Sequence, residues 1–418
     1  MSPVLPSVTG PVVHGDVDSV RERWPDVAAT PHAPMRALAA RLLLRRAAAL
    51  AGVRVLTDDD HRPAPGTPAL RLVEPEEFYA RVGSDGLIGF GEGWMSGAWT
   101  TDDLHALLHA LALRLHDVVP AGLQRFRRRF DRPVPVAEDA DHDGAQVNAA
   151  RHYDLSNELF RQFLDSTMTY SSALFEPGDD LETAQRRKLD AILDAAGVGA
   201  NTRLLEIGSG WGSLAIRAAQ RGATVTTVTL SSEQVAYVRA AARRAGVDDR
   251  IDVDLCDFRD VRGRYDAIVS IEMIEAVGER YWPDYFRCLA DRLAPGGKVG
   301  LQAITMDHHH MLATRHSWGW IHKYIFPGGL IPSVRAIEDH ARDNGLEPTR
   351  RRALGAHYAE TLRLWRARFT SARPEVLALG FDDVFCRMWE FYLAYCEAGF
   401  SSGQLDVEQI VLEKGTST

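Results

Sequence analysis

Three glycines at alternate positions are the residues of this chain that point most clearly to chemistry. They are Gly208, Gly210 and Gly212, and they follow an apolar run with its acidic Glu206 in the pattern E-x-G-x-G-x-G. Glycine lets a ligand approach the backbone closely, and exposed N–H groups at a helix start can hydrogen-bond it. The spacing is neither the G-x-G-x-x-G of dinucleotide folds nor a phosphate loop, since no Lys-Ser/Thr follows. The turn therefore predicts a ligand site of another kind.

The residues around this turn predict strands that alternate with helices. Apolar runs predict strands at 203–207, 224–229, 251–255, 267–271 and 298–303. Amphipathic patterns predict helices at 212–221, 232–245 and 280–293. Such alternation is typical of an α/β fold with a parallel, doubly wound sheet, whose ligands bind at the carboxyl ends of the strands.

Further polar residues follow the second and third predicted strands, namely Thr229, Gln234, Asp257 and Phe258. With the glycine turn, their order resembles class I S-adenosylmethionine (AdoMet) methyltransferases. The resemblance implies that Glu206 and the turn glycines hold the amino acid and ribose of AdoMet. Thr229 and Gln234 are then candidates for the ribose hydroxyls, while Asp257 accepts from the adenine amine and Phe258 stacks on the ring. Helix capping and a simple turn at Asp257 are the alternative interpretation.

Composition limits the function classes. The chain has 418 residues, 45% hydrophobic and 25% charged, which predicts a globular protein of two domains. Its net charge of -9 argues against nucleic acid as a partner. The four cysteines show neither metal nor disulfide spacing, which fits a reducing cytoplasm. We find no secretion signal and no apolar run long enough to span a bilayer.

A stretch rich in Asp, Pro and Gly at 131–146 predicts a linker between two domains. Residues 1–130 are predicted to form a small α+β lipid- or membrane-binding domain, with helices near 35–50 and 102–116 and strands near 53–56 and 69–73. Residues 147–418 are predicted to form the catalytic domain.

Arginines interrupt the leucines and alanines of residues 35–50 at positions 36, 41, 45 and 46. A basic amphipathic helix of this kind can lie on an anionic membrane surface. A second cluster, Arg125 with Arg127, Arg128 and Arg129, ends the first domain. Ordinary packing helices with solvated arginines are the alternative interpretation.

Several longer segments narrow the family. They are HYDLSNELF at 152–160, MTYSSA at 168–173, MIEAVG at 273–278, KYIFPGG at 323–329, and Tyr358 with Thr361, Leu362 and Trp365. Together they resemble the cyclopropane fatty acid synthase family, which includes the mycolic acid cyclopropane synthases. IGFGEGWM at 88–95 is similar to the N-terminal domain of the phospholipid-acting members, so the resemblance covers nearly the whole chain.

The resemblance implies methyl transfer from AdoMet to a cis double bond of an unsaturated acyl chain in a membrane phospholipid. An alkene is a weak nucleophile, so the methyl must be held in line and close. The resulting carbocation needs apolar walls, aromatic faces and exclusion of water. Tyr153, Trp320, Tyr324 and Phe326 are the predicted substrate-pocket residues. Tyr170 and Ser171, in the MTYSSA segment, are assigned to the cofactor site.

Proton removal is the step at which this chain departs from the family pattern. Cyclopropane-forming members hold a bicarbonate ion with Cys, Glu, His, Tyr and a backbone group. Here Glu275, Tyr358 and the backbone of Ile304 match, whereas Ser172 stands at the Cys position and Gln302 at the His position. Serine and glutamine still donate hydrogen bonds, so bicarbonate stays an option. The altered cradle favours a methylene-branched product, which a partner reductase would convert to a methyl branch, over a cyclopropane.

The remaining expectations concern partners. No metal site is predicted at Asp307-His308-His309-His310, because adjacent histidines rarely face one ion. Lys323, with His322, is expected to meet the lipid phosphate, and the resemblance allows a homodimer. The expected location is the cytoplasm, peripheral on the inner face of the cell membrane. A methyltransferase of a soluble small molecule and a non-catalytic lipid-binding relative remain alternatives.

Overall fold

The computed structural model describes residues 21–57, 60, 64, 66–114, 117, 132–133, 135 and 156–415. The chain divides into two compact units, each built from several segments. The first comprises Met1–Val134, Ser317–Pro327 and Leu362–Gln404, and the second Pro135–His316, Gly328–Thr361 and Leu405–Thr418. This division differs from the predicted domains, because two later segments belong to the N-terminal unit. The predicted linker and the Arg125–Arg129 cluster lie outside the described residues, apart from 132, 133 and 135.

The regular elements are numbered along the chain. The strands are β1 Arg54–Leu56, β2 Ala69–Leu72, β3 Trp99–Thr100, β4 Arg132–Pro133, β5 Arg203–Ile207, β6 Thr224–Thr229, β7 Ile251–Leu255, β8 Tyr265–Ile271, β9 Leu293–Met306, β10 Ser317–Trp318, β11 Leu346–Ala353 and β12 Leu405–Lys414. The helices are α1 Pro25–Ala28, α2 Pro34–Ala51, α3 Pro75–Asp85, α4 Leu87–Ser96, α5 Leu104–Ala112, α6 Asn157–Arg161, α7 Leu181–Ala195, α8 Ser213–Gln220, α9 Ser232–Ala245, α10 Ile274–Val277, α11 Trp282–Arg292, α12 His308–Thr314, α13 Trp320–Tyr324, α14 Val334–Asp343, α15 Gly355–Ser371, α16 Arg373–Ala378 and α17 Asp383–Ser401.

A seven-stranded sheet forms the centre of the second unit, with the order β11-β12-β9-β8-β5-β6-β7. The five strands from β5 to β9 are parallel, as predicted. The strands β11 and β12 run antiparallel at one end of the sheet and were not predicted. The prediction of a doubly wound α/β fold is confirmed, and the sheet is mixed rather than wholly parallel.

Apolar clusters cover both faces of this sheet. One joins Leu204 and Val225 to α7, α8 and α9. The other joins Leu205 and Ile207 to α11 and α14 through Trp282, Phe286 and Ile337. Because successive strand side chains point to opposite faces, Leu204 and Leu205 enter different clusters.

The order of the strands along the chain reverses between the neighbouring parallel strands β5 and β8. From β5 the chain continues through β6 and β7 on one side, whereas β8 and β9 lie on the other. Such a topological switch point leaves a crevice outside the strands' carboxyl ends. The glycine turn follows β5 and Glu272 follows β8, so both lie at this crevice.

Three glycines of α4 permit close packing in the first unit. A Cβ at Gly89 would lie 2.0 Å from the Arg81 carbonyl oxygen, and one at Gly91 would lie 2.5 Å from the Trp320 indole. Gly93 faces Trp99 in the same manner, at 3.0 Å. The neighbouring Trp94 donates from Nε1 to the Arg387 carbonyl at 2.9 Å. The glycines of the IGFGEGWM segment are therefore explained by close packing within the first unit, against both earlier and later residues.

The predicted basic helix at 35–50 is confirmed as α2. Across the residues that the structure describes, no helix has the length and apolarity needed to cross a membrane.

Candidate active site

The glycine turn after β5 has the backbone that its sequence predicts. Gly208, Gly210 and Gly212 have φ values of 96°, 49° and 85°, in the left-handed region that side chains other than glycine rarely adopt. A Cβ at Gly208 would lie 2.5 Å from the Met273 side chain, whereas the space beside Gly210 is open to 4 Å. The turn therefore offers a backbone that a ligand can approach at Gly210.

Glu206 lies buried at the end of β5, beside this turn. The Thr227 hydroxyl lies 2.5 Å from its Oε2 and 2.7 Å from the Ser209 hydroxyl. Burial raises the pKa of Glu206 to about 8, against the lowering effect of Thr227 and of Lys188. A cation bound beside Glu206 would favour the ionised form of its carboxyl group, and AdoMet carries two cationic groups.

The other predicted cofactor groups gather in two places. The Thr229 hydroxyl donates to Gln234 Oε1 at 2.6 Å, and both side chains are buried. Asp257 is paired with Arg259 through its two carboxylate oxygens, at 2.7 and 2.6 Å, and caps the 3-10 turn that begins at Phe258. Asp257 is therefore a turn residue, as the alternative interpretation has it, and its contact with adenine stays a prediction.

An aromatic wall connects the turn with the MTYSSA segment. Trp211, within the turn, lies 4.7 Å from the Phe160 ring and 6.5 Å from the Tyr170 ring, and its Nε1 donates to Asn157 Oδ1 at 2.6 Å. These contacts bring Tyr170 to the glycine turn, and a role of Tyr170 and Ser171 in holding the cofactor stays a prediction.

Most of the residues predicted to hold bicarbonate converge on a carboxylate of the protein itself, that of Glu272. Its Oε1 accepts hydrogen bonds from the backbone N–H of Ser172 and from Gln302 Nε2, both at 2.9 Å. The Tyr358 hydroxyl donates to Oε2 at 3.1 Å. We call these three donors with Glu272 the carboxylate cradle. The Ser172 hydroxyl, in contrast, donates to the Ala173 carbonyl.

Glu272 is a candidate functional residue that the sequence interpretation missed. It has a φ of 51°, a conformation in which glycine is favoured and glutamate is strained. Strain of about 1–2 kcal/mol at a non-glycine residue is often tied to function. The sequence signal was its place one residue after a strand end at the switch point, three residues before the motif glutamate.

The motif glutamate itself, Glu275, is partly buried and accepts a short hydrogen bond from the Ile304 backbone N–H. Its other oxygen, Oε2, is buried without a hydrogen-bond partner. Burial, with repulsion from Glu272, raises the pKa of Glu275 to about 8. Glu275 and Ile304 are thus together as predicted, but their contact is with each other.

A buried lysine, Lys188, interacts electrostatically with these acids. Lys188, on α7, has no solvent exposure, and its Nζ donates to the Ser171 hydroxyl at 2.5 Å. Burial lowers the pKa of Lys188 to about 8, against the attraction of Glu272, Asp165 and Glu206. Burial also raises the pKa of Glu272, opposed first by Lys188 and then by its hydrogen bonds. Lys188 therefore attracts both Glu206, beside the glycine turn, and Glu272, in the carboxylate cradle.

The predicted pocket aromatics that the structure describes belong to the first unit. Trp320 and Tyr324 are buried in the first unit, where Trp320 packs on Phe391 at 4.7 Å and Phe326 on Tyr392 at 5.9 Å. Tyr153 lies outside the described residues. Contact of these side chains with an acyl chain stays a prediction.

The expectation that Lys323 meets a lipid phosphate is wrong. Lys323 is buried, and its Nζ is paired with Glu92 and with Asp26. The Tyr324 hydroxyl also donates to Glu92 Oε1, at 2.8 Å. The KY pair of the KYIFPGG segment therefore anchors α13 to Glu92 within the first unit. In the second unit, Asp307 caps α12 by accepting from the His310 N–H.

Comparisons with known proteins agree with these features. Residues 141–410 match the family model described as mycolic acid cyclopropane synthetase. Tuberculostearic acid methyltransferase UfaA1 of Mycobacterium tuberculosis is 49% identical over 94% of this chain and 95% of that protein. Cyclopropane-fatty-acyl-phospholipid synthase of Escherichia coli is 33% identical over 83% and 88% of the two chains.

Among solved structures, mycolic acid cyclopropane synthase CmaA1, complexed with SAH and CTAB, matches with a TM-score of 0.60 and 32% identity. It covers 64% of this chain, and 98% of its own length is matched. The chain belongs to the mycolic acid cyclopropane synthetase family and is an AdoMet-dependent methyltransferase.

Proposed function

We propose that this enzyme methylates the cis double bond of an unsaturated acyl chain in a membrane phospholipid and leaves a methylene branch. The single observation that carries the choice of product is the Glu272 carboxylate, which fills the cradle expected to hold a bicarbonate ion. AdoMet supplies the methyl group, and its fit is supported by the open approach to Gly210 and the buried Glu206.

The lipid substrate is supported by what the relatives are named for. One is a tuberculostearic acid methyltransferase and another a cyclopropane-fatty-acyl-phospholipid synthase. The identity to the first is higher and extends over nearly the whole of both chains. We therefore favour a branched product over a ring. The phospholipid form of the substrate and its place at the inner face of the cell membrane belong to this proposal.

The proposed reaction needs one base, which removes a proton after the methyl transfer. The π electrons of the alkene form the new C–C bond to the methyl as its bond to sulfur breaks, and a carbocation is left on the chain. A hydride shift moves the positive charge to the methyl-bearing carbon. Loss of a proton from the methyl group then gives the methylene branch, whereas loss of a methyl proton from the first cation, with closure of a C–C bond to the cationic carbon, gives a cyclopropane.

Glu272 is the base that this proposal assigns. A carboxylate with a raised pKa is a better proton acceptor, and a fixed side chain can accept only from one direction. Gln302 is itself fixed by Gln409 Nε2, which donates to its Oε1 at 3.0 Å. Because no donor of the cradle is left over for a second anion, bicarbonate does not fit, and no step here uses it. A methylene product would require a reductase to become a methyl branch.

The first test is product analysis. The purified protein is incubated with AdoMet and liposomes of monounsaturated phospholipid, and acyl chains are analysed by mass spectrometry with double-bond-specific derivatisation. A gain of one CH2 with the alkene retained is expected. The same gain with the alkene lost would contradict the proposed product, and no gain on any lipid would contradict the substrate.

A second measurement addresses bicarbonate. The methylation rate is compared in buffer depleted of CO2 and in buffer with added bicarbonate. Because Glu272 belongs to the protein, the two rates are expected to agree. A rate that collapses without CO2 and returns with bicarbonate would contradict the assignment of the base.

A further inference from the structure

The outer face of α2 exposes an unusual amount of apolar surface. Of the eleven large apolar side chains described as exposed, five lie on this one helix of 18 residues: Met35, Leu38, Leu42, Leu43 and Leu50. Exposed fractions reach 82% for Met35 and 62% for Leu42. Single exposed apolar residues need no explanation, but a contiguous patch marks an interaction site.

The helix is apolar on two sides, and only one side is covered. Ala40 and Ala48 are buried, and the Gly83 backbone approaches α2 so closely that a Cβ there would lie 2.6 Å from the Arg36 backbone. Met35, Leu38 and Leu42, at i, i+3 and i+7, lie on the opposite side. The exposed stripe therefore has no structural partner in the described part of the first unit.

The charges of α2 indicate which kind of partner could cover the exposed apolar stripe. The helix carries four arginines and no acidic residue, on a chain of net charge -9. By the helical period, Arg36 and Arg45 lie on opposite flanks of the stripe, and both are exposed. Arg41 turns inward, with its guanidinium 4.7 Å over the Tyr79 ring and 3.2 Å from Glu76. Arg46, four residues after Leu42, lies on the stripe itself, is exposed, and donates to the Asp117 carbonyl at 3.2 Å. An apolar stripe with arginines within and beside it complements an anionic bilayer, whose headgroups meet the arginines while the leucines enter the acyl region.

We infer that the outer face of α2 is the surface by which this protein docks on an anionic phospholipid bilayer. A second copy of the chain fits less well, because a two-fold contact through this face would bring arginines against arginines. Both this inference and the proposed function involve a phospholipid membrane. The inference, however, is argued from α2 alone and does not require that the enzyme methylate any lipid.

The test is co-sedimentation with vesicles in the absence of AdoMet, using phosphatidylcholine with and without phosphatidylglycerol. Binding is expected only with the anionic lipid and is expected to weaken as salt rises. The double variant Leu38→Gln/Leu42→Gln is expected to lower the partition coefficient at least tenfold. Arg36→Gln/Arg45→Gln is expected to lower it roughly 25-fold, from about fivefold for each arginine.

A matched control is Leu87→Gln/Leu312→Gln, which changes leucines that are 56% and 41% exposed on other helices. It is expected to bind as the unchanged protein does. Equal loss in the control and the α2 variant would overturn the inference, as would vesicle binding that neither pair alters. A change of oligomeric state confined to the α2 variants, measured by light scattering, would overturn it in favour of a second copy. Sedimentation without methylation would contradict the proposed function while leaving this inference standing.

Discussion

Replacement of Glu272 by glutamine tests the proposed base most directly. The substitution keeps the size of the side chain but removes its negative charge and its ability to take a proton. A positioned general base contributes about 10²–10⁴ in rate, or about 3–5 kcal/mol of barrier. We therefore expect Glu272→Gln to lower the single-turnover rate at least 100-fold.

The effect on stability should be much smaller. The carboxylate accepts three hydrogen bonds, at 2.9, 2.9 and 3.1 Å, and an amide would turn its NH2 group towards at least one of these donors. Such a loss costs about 1–3 kcal/mol. Burial raises the pKa of Glu272, so removal of the charge offsets part of that cost. We expect a net loss below about 2 kcal/mol, equal to a few degrees in Tm.

The assay pairs methyl transfer with calorimetric AdoMet binding and thermal unfolding. Glu408→Gln is the matched control, because Glu408 is also a buried acid of the second unit with a pKa raised by burial, and it lies outside the cradle. Its rate should stay within about twofold of the unchanged enzyme. If Glu272→Gln kept a third of the rate, the base would lie elsewhere and Glu275 would be the next candidate. A rate loss matched by lost AdoMet affinity would also refute the reasoning.

Three further predictions follow from buried groups and the turn. Lys188→Met should move the rising limb of the pH–rate profile to higher pH, because loss of the neighbouring cation raises the pKa of Glu272 further; an unmoved limb would contradict this. Because the pKa of Glu206 is about 8, AdoMet affinity should rise by up to tenfold for each unit by which the pH is raised towards 8. Calorimetry should also show that AdoMet binding releases a proton, and Glu206→Gln should abolish this release. Gly208→Ala should lower AdoMet affinity at least tenfold through strain at φ 96° and contact with Met273, whereas Gly199→Ala, with open space, should bind normally.

The parts of the fold that the sequence predicted are those encoded by local signals. Apolar runs located β5 to β9, and alternate glycines located the turn, since each needs only a few neighbouring residues. The strand β11 was missed because its sequence LEPTRRRA is polar and mostly exposed, so it carries no apolar pattern. Its place is set by pairing with β12, some 60 residues later in the chain.

The site was predicted as a set of residues but not as an arrangement. Ser172, Gln302 and Tyr358 lie on three separate segments, and only the fold brings their donors together. What they bind depends on the left-handed backbone at Glu272, which no spacing rule reveals for a glutamate. The prediction that Lys323 meets a lipid phosphate was wrong for a similar reason. An exposed-looking lysine in a loop motif is held by Glu92, 231 residues away.

The first unit has a consequence for how the protein is made. Trp94 bonds to Arg387, 293 residues later, and α4 is therefore synthesised long before its partners. At about 5–20 residues per second, a ribosome needs roughly 15–60 s to close that gap. The strands β5 to β9 emerge within this interval and can assemble first. Until then Trp94 lacks its partner Arg387 and Glu92 lacks its partner Lys323, so the first unit is completed only after most of the chain has been made.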